Sequence, residues 1–175
     1  MTALPRARAQ PPDLRPAPAI RPARAEDLEV LLELENRCFE HDRLSRRSFR
    51  HFLASGTASC LVAERDGELL GYALVLFHGR TALARLYSMA VAPEHRGQGL
   101  GRVLLEAAEA TALDRGAAVL RLEVHPHNDA AIALYRSAGY VEFGIYRAFY
   151  EDDSDALRMQ HALVPRLQPD TSGIP

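Results

Sequence analysis

A glycine-rich turn constrains the fold of this chain more than any other segment. It reads Arg96-Gly97-Gln98-Gly99-Leu100-Gly101-Arg102 and lies between an apolar strand pattern and the clearest amphipathic helix pattern, residues 100–115. Glycine permits positive φ angles and a close approach of the backbone to a ligand. The first amides of a helix have no partner within it and carry the positive end of its dipole, so such a turn can bind phosphate.

The turn alone leaves two interpretations open. It departs from the dinucleotide motif G-x-G-x-x-G, and it lacks the lysine of a P-loop, because all 21 basic residues of the chain are arginines. The same composition excludes Schiff-base and catalytic lysines. A glycine turn between a strand and a helix is equally typical of a purely structural connection.

The composition is that of one globular domain, with 175 residues of which 47% are hydrophobic and 25% charged. A net charge of −2 argues against nucleic acid as a partner. The longest apolar stretch, residues 69–77, is far shorter than the roughly 20 residues of a membrane-spanning helix, and no secretory signal opens the chain. Cys38 and Cys60 form neither a disulfide framework nor a zinc motif, which favours a reducing cytoplasm.

Hydrophobic periodicity and turn residues predict an α/β fold with a mixed sheet. Residues 1–18 are rich in proline and are predicted to form a flexible arm, residues 165–175 a flexible tail, and residues 19–164 the folded domain. Strands are predicted at residues 20–23, 59–64, 69–77, 82–91, 118–124, 140–150 and 156–163, and helices at residues 25–39, after Ser45, at 100–115 and at 128–138.

Two motifs resemble those of the GNAT acyltransferase superfamily. Residues 96–101 match its signature [RQ]-x-x-G-x-[GA], and residues 122–140 are similar to its second motif, L-E-V-x-x-x-N-x-x-A-x-x-L-Y-x-x-x-G-[FY]. Residues 87–95 resemble the strand and turn that precede the signature. The chain is most similar to the RimI type, which acetylates the N-terminal α-amine of a ribosomal protein. The resemblance implies acetyl-CoA as co-substrate and a mixed, mostly antiparallel sheet flanked by helices, in the order β-α-α-β-β-β-α-β-α-β-β.

The resemblance also implies which residues hold acetyl-CoA. Met89, Ala90 and Val91 would offer backbone groups to the pantetheine arm. Asn128 would contact the same arm, although asparagine is also a favoured helix N-cap. The turn would bind the pyrophosphate with Arg96, Gly97, Gln98, Gly99, Leu100, Gly101 and Arg102.

Glu123 and Tyr135 match the general base and the general acid of the RimI type. A thioester is an activated acyl donor, so direct attack by an amine needs a base that takes a proton from the amine and an acid that protonates the departing thiolate. Taken alone, Glu123 is typical of the solvated face of a strand, and Tyr135 is typical of a buried helical stripe. Their assignment to the site therefore depends on the motif.

The predicted mouth of the site is acidic. Phe149 and Tyr150 resemble a Tyr-Tyr pair that packs beside the incoming N-terminus in RimI-type enzymes, with one hydroxyl lost at Phe149. The carboxylates of residues 151–155 would attract a cation, or form a plain solvated turn. Glu40 and Asp42 are further candidates for this mouth. His125 and His127 have no third ligand at a suitable spacing, so no metal is predicted.

The predicted function is acetyl-CoA-dependent N-acetylation of a protein or peptide N-terminus. An α-amine titrates near 7.7–8.0 and a lysine near 10.4, so a carboxylate base suits the α-amine better. Two alternatives stay open: an N-acetyltransferase for a small amine, such as a polyamine, an amino acid or a drug, and a non-catalytic acyl-CoA-binding module. Neither nucleic acid nor a membrane is predicted as a partner.

Overall fold

The computed structural model describes residues 16–79 and 81–164. Of the predicted arm, only residues 16–18 are described, and they form no helix or strand. The predicted tail, residues 165–175, lies outside the described residues. Within the described part the strands are β1 (Ala19–Pro22), β2 (Ala58–Arg65), β3 (Glu68–Phe77), β4 (Leu83–Val91), β5 (Val119–Val124), β6 (Val141–Tyr146) and β7 (Ala156–Ala162). The helices are α1 (Leu28–Cys38), α2 (Arg46–Ala54), α3 (Leu100–Asp114) and α4 (Asp129–Ser137), with 3-10 turns at Ala25–Asp27 and Pro93–His95.

The strands form one sheet in the order β1-β2-β3-β4-β5-β7-β6. Every neighbouring pair is antiparallel except β4 and β5, which are parallel. A parallel pair needs a crossover connection, and α3 supplies it. The sheet is therefore mixed and mostly antiparallel, which confirms the predicted fold class. Among the described residues, no helix has both the length and the apolar character that a bilayer crossing requires.

Both faces of the sheet are covered, and β3 shows how. Its residues alternate between two hydrophobic clusters: Ala73 and Val75 pack in the cluster that contains α3 and α4, and Tyr72 and Leu74 in the cluster that contains α1 and α2. Alternate side chains of a strand point to opposite faces, so a strand covered on both sides reads as a continuous apolar run. Burying a large apolar side chain such as that of Val75 or Leu74 stabilises the fold by about 1.5–3 kcal/mol.

An opening in the middle of the sheet separates β4 from β5. The two strands pair only over Leu83–Leu86 and Val119–Leu122, although β4 continues to Val91 and β5 to Val124. A bulge in β4 starts this divergence, because Leu74 pairs with Ser88 and Val75 with Leu86, which leaves Tyr87 without a partner on β3. Bulges bend a strand and increase its twist. The far half of β4 therefore has one edge that β5 does not cover.

Strand β6 ends at Tyr146, so the prediction that it extends to residue 150 is wrong. Ala148 has a φ of 45°, a left-handed conformation that a strand does not adopt. The Asp155 carboxylate accepts a hydrogen bond from the Ala148 amide (3.0 Å) and pairs with Arg147, which turns the chain into a loop. Phe149 and Tyr150 consequently lie on this loop rather than on a strand.

Candidate active site

The glycine turn begins α3 as the sequence predicts. Gly97 and Gly99 have φ angles of +73° and +81°, and a Cβ at either position would meet no atom within 4 Å. These glycines are therefore required by their left-handed backbone rather than by a close contact. The amide of Arg102 is hydrogen-bonded to the Gly99 carbonyl (3.1 Å), as is that of Val103 (3.2 Å). The amides that precede them lie at the positive end of the helix, where an anion binds.

Three polar side chains of the turn donate hydrogen bonds to other parts of the protein. Arg96 Nε donates to the Val91 carbonyl (3.2 Å), Gln98 Nε2 donates to the Glu94 carbonyl (3.3 Å), and Arg102 donates to the Ser137 hydroxyl on α4. These contacts hold the three side chains against the protein, beside the backbone amides of the turn. This arrangement fits the predicted pyrophosphate site, in which the amides bind the ligand.

The uncovered edge of β4 carries the three residues predicted to bind pantetheine. Ala92 donates its amide to the Leu70 carbonyl of β3 (2.8 Å), and Ala90 pairs directly with Tyr72. Backbone groups alternate in direction along a strand, so those of Ala90 point to β3 and those of Met89 and Val91 point to the opening. The structure therefore divides the predicted group, with the backbone groups of Met89 and Val91 facing the opening and those of Ala90 facing β3.

A cleft of about 800 Å³ lies at this opening. It brings together predicted residues that are far apart in sequence: Met89, Glu123, Asn128, Tyr135, Phe149 and Tyr150. The glycine turn, residues 97–102, does not line the cleft, and neither does Ala90 or Val91. The predicted site thus consists of two neighbouring parts, an anion-binding turn and a cleft that holds both residues predicted to transfer protons.

Glu123 lies between two arginines in the cleft. Its carboxylate accepts a hydrogen bond at Oε2 from Arg85 Nε (2.7 Å), and its Oε1 lies 3.7 Å from Arg158 Nε. Arg85 comes from β4 and Arg158 from β7, where it is the register partner of Glu123. The side chain of Glu123 is only 7% exposed, so the face expected to be solvated is covered by these arginines. Sequence reasoning missed Arg85, because strand alternation does not reveal which strand becomes its neighbour.

Tyr135 is buried on α4, where its ring lies 5.6 Å from that of Tyr140. Burial is the main cause that raises the pKa of Tyr135 above its usual value, and the nearby Tyr150 adds to the effect. A phenol is protonated at neutral pH even at its ordinary pKa, so Tyr135 carries a proton in the cleft, and its raised pKa makes it a weaker acid. Asn128 caps the same helix, since its side chain accepts a hydrogen bond from the Ala131 amide (3.2 Å).

Two loops form the mouth of the cleft. Asp42, on the loop between α1 and α2, accepts a hydrogen bond from the Glu151 amide on the loop between β6 and β7 (3.1 Å). Burial and the nearby carboxylates of Asp42 and Glu123 raise the pKa of Tyr150 to about 12. The lining carboxylates at this mouth are Glu40, Asp42, Glu151 and Asp152. The expectation that the α1–α2 loop contributes acidic residues is therefore confirmed by the structure.

A buried carboxyl group beneath the cleft was not predicted. Glu35 on α1 is 1% exposed, and its Oε1 accepts a hydrogen bond from the Leu44 amide (2.7 Å). Its Oε2 accepts one from the hydroxyl of Tyr72, which also bonds to Ser88 Oγ (2.7 Å). Burial raises the pKa of Glu35, and these hydrogen bonds oppose the rise. A glutamate on the apolar stripe of α1 was the signal that could have revealed it.

His125 and His127 contact each other and the mouth. The His127 amide donates to His125 Nδ1 (3.2 Å), and the His125 ring lies 5.3 Å from the Tyr150 ring. These contacts place the His125 ring in the lining of the cleft.

Comparisons with known proteins agree with this geometry. The model of the acetyltransferase (GNAT) family matches residues 28–140. The N-alpha-acetyltransferase RimI of Mycobacterium tuberculosis is 36% identical over 138 residues, 77% of this chain and 85% of that protein. Streptothricin acetyltransferase of Streptomyces lavendulae is 40% identical over 98 residues, 56% of this chain and 51% of that protein.

A solved structure adds the co-substrate. The protein yncA of Salmonella typhimurium, determined with its cofactor acetyl-CoA, is 26% identical and has a TM-score of 0.72, covering 88% of this chain and 98% of that one. The left-handed glycine turn fits a diphosphate, and the uncovered edge of β4 fits an arm that contains amides. The chain therefore belongs to the GNAT acetyltransferase family and is an acetyl-CoA-dependent N-acetyltransferase.

Proposed function

We propose that this enzyme acetylates the N-terminal α-amine of a protein or peptide, with Glu123 as general base and Tyr135 as general acid. The observation that carries the proposal is the cleft at the β4–β5 opening, which both side chains line. The similarity to an N-alpha-acetyltransferase supports the acceptor class. Two free cysteines, Cys38 and Cys60, suit a reducing cytoplasm as the compartment.

The proposed residues divide the binding of acetyl-CoA between them. The backbone of Gly97, Gly99 and Gly101 holds the diphosphate together with the other residues of the turn. Met89 and Val91 pair with the pantetheine arm along the uncovered edge of β4, Ala90 keeps that edge in register, and Asn128 contacts the arm from the start of α4. When bound, acetyl-CoA supplies an activated acyl group whose sulfur leaves as a thiolate.

Glu123 and Tyr135 carry out the proton transfers. As the amine nitrogen forms its bond to the acyl carbon, Glu123 takes a proton from it, directly or through one water molecule. Arg85 already occupies Oε2, so Oε1 is the oxygen that accepts this proton. As the carbon–sulfur bond breaks, Tyr135 donates its hydroxyl proton to the negative charge on sulfur. The phenol carries its proton at neutral pH, as an ordinary tyrosine does, and the proton taken by Glu123 returns through solvent to Tyr135 at the end of the cycle.

The acceptor is a cation before it reacts. The carboxylates of Glu40, Asp42, Glu151 and Asp152 lie at the mouth and raise the local concentration of positively charged acceptors. At pH 7, removing the proton costs about 1 kcal/mol for an α-amine and about 4.6 kcal/mol for a lysine side chain. A cleft with a carboxylate base therefore favours the α-amine.

Mass spectrometry of a peptide library and a panel of small amines, each incubated with acetyl-CoA, tests the proposal. We expect acetylation at peptide α-amines, with lysine side chains in the same peptides left free. Preferential acetylation of polyamines, amino acids or drugs would assign the enzyme to small amines instead. Tight CoA binding with no product from any acceptor would favour a binding module.

A further inference from the structure

Arg85 lines the cleft and is held there by Glu123 on β5 and by two aromatic rings. Its Nε donates to Glu123 Oε2 (2.7 Å). Its guanidinium carbon lies 5.2 Å from the ring centroid of Tyr87 and 6.0 Å from that of Phe149, within the range of cation–π contacts. A guanidinium fixed in this way loses little further freedom when it binds a ligand.

The remaining donors of Arg85 are available to a ligand. Within residues 16–79 and 81–164, no hydrogen bond from either Nη atom is found, and about a third of the side chain (31%) is exposed in the cleft. Arg158, on the other side of Glu123, has instead stacked its guanidinium on the rings of Tyr146 (4.1 Å) and Phe143 (4.5 Å). Arg85 is thus the arginine of this pair whose terminal nitrogens can meet an acceptor substrate.

We propose that Arg85 is a specificity-determining residue that binds the carbonyl oxygen next to the acceptor amine, so that the cleft selects an α-aminoacyl group over an amine without a neighbouring carbonyl. This inference rests on the proposed function and names the part of the acceptor that is recognised.

The geometry of an α-aminoacyl group matches the Arg85–Glu123 pair. Its nitrogen and its carbonyl oxygen are separated by three covalent bonds, which places them about 3 Å apart. The Nη atoms of Arg85 belong to the same guanidinium whose Nε donates to Glu123 Oε2, so they lie close to this carboxylate. An acceptor nitrogen near enough to Glu123 to lose its proton can therefore bring a carbonyl oxygen three bonds away within reach of these Nη atoms. Polyamines and lysine side chains offer no oxygen at this distance.

The test compares two acceptors of the same shape, L-alaninamide and 3-methylbutan-2-amine, in which an isopropyl group replaces the carboxamide. For each enzyme variant, kcat/KM is divided by the wild-type value on the same acceptor, so that the different basicities of the two amines cancel. We expect Arg85→Gln to lower kcat/KM about tenfold or more on L-alaninamide, because a charged hydrogen bond is lost, and clearly less on the carbonyl-free amine. Arg85→Lys should recover part of this loss.

Arg121→Gln is the matched control. Arg121 pairs with Arg85 in the β4–β5 register but does not line the cleft, and its Nε donates to Gln160 (3.1 Å). Arg121→Gln should leave the ratio of kcat/KM on L-alaninamide to kcat/KM on 3-methylbutan-2-amine unchanged. Should Arg85→Gln fail to fold, as judged by thermal melting and CoA titration, the comparison is made with Arg85→Lys.

The outcomes separate the inference from the function on which it rests. Equal losses on both acceptors would mean that Arg85 acts only through Glu123, and no loss on either would mean that it contacts no substrate; each result overturns the inference alone. Wild-type enzyme that acetylates neither L-alaninamide nor any peptide α-amine would contradict the proposed function, and the inference with it.

Discussion

The proposed role of Tyr135 depends on its phenol hydroxyl. In that proposal the hydroxyl donates its proton to the sulfur as negative charge develops there, although burial raises the pKa of Tyr135 and makes the phenol a weaker acid. We predict that Tyr135→Phe lowers kcat about tenfold or more and leaves the affinity for CoA nearly unchanged. Steady-state kinetics and CoA calorimetry measure the two effects.

Tyr140→Phe is the control for this variant, since Tyr140 is a buried neighbour that does not line the cleft. It should retain wild-type turnover. Unchanged turnover in Tyr135→Phe itself would remove Tyr135 from the mechanism.

Glu35 links stability to pH. Its folded pKa is raised, so the native state favours the protonated form, and the contribution of this group to stability is lost as pH rises through the folded pKa. We predict that the unfolding free energy of the wild type falls, relative to that of Glu35→Gln, as pH increases above the ordinary glutamate range near 4–5. Denaturant titrations from pH 5 to pH 8 measure this difference, and parallel pH curves for the two proteins would contradict it.

At the scale of elements, α3 and its glycine turn are the proposed anion site. We predict that Gly99→Asp abolishes CoA binding, because a carboxylate would repel the diphosphate at the start of the helix. Gly67→Asp is a close control, since Gly67 lies in the β2–β3 turn with the same φ of +81° and no atom within 4 Å of a Cβ. Both variants carry the same backbone strain and the same added charge. Wild-type CoA affinity in Gly99→Asp, measured by calorimetry, would contradict the assignment of this turn.

The sequence predicts these elements well where local rules decide them. The glycine turn, the N-caps Ser45 and Asn128 and the apolar run of β3 depend on neighbouring residues, and each lies where expected. Arg85 and Glu35 were not predicted because their partners Glu123 and Tyr72 come from elements distant in sequence. The end of β6 was not predicted correctly because the Asp155 side chain, rather than a glycine or proline, stabilises the loop that follows it.

At the scale of the whole molecule, charge is unevenly placed. The net charge is only −2, yet the mouth of the cleft carries Glu40, Asp42, Glu151 and Asp152. We predict that kcat/KM for a cationic peptide falls severalfold as ionic strength rises from about 20 mM to about 200 mM, because salt screens the attraction. Initial rates at several salt concentrations give the slope of kcat/KM against ionic strength.

The slope should flatten when Glu151→Gln and Asp152→Asn are combined. Asp66→Asn, which removes a charge from the β2–β3 turn, should leave the slope unchanged. Identical slopes in all three proteins would mean that the mouth does not attract the acceptor.

The acidic mouth has a consequence for turnover as well as for capture. An acceptor arrives as an ammonium ion and leaves as an amide, which carries no charge. Carboxylates that attract an ammonium group gain little from a neutral amide, so the proposed capture at this mouth would favour unreacted acceptor over acetylated product. The same four side chains would thus discriminate against rebinding of the acetylated product.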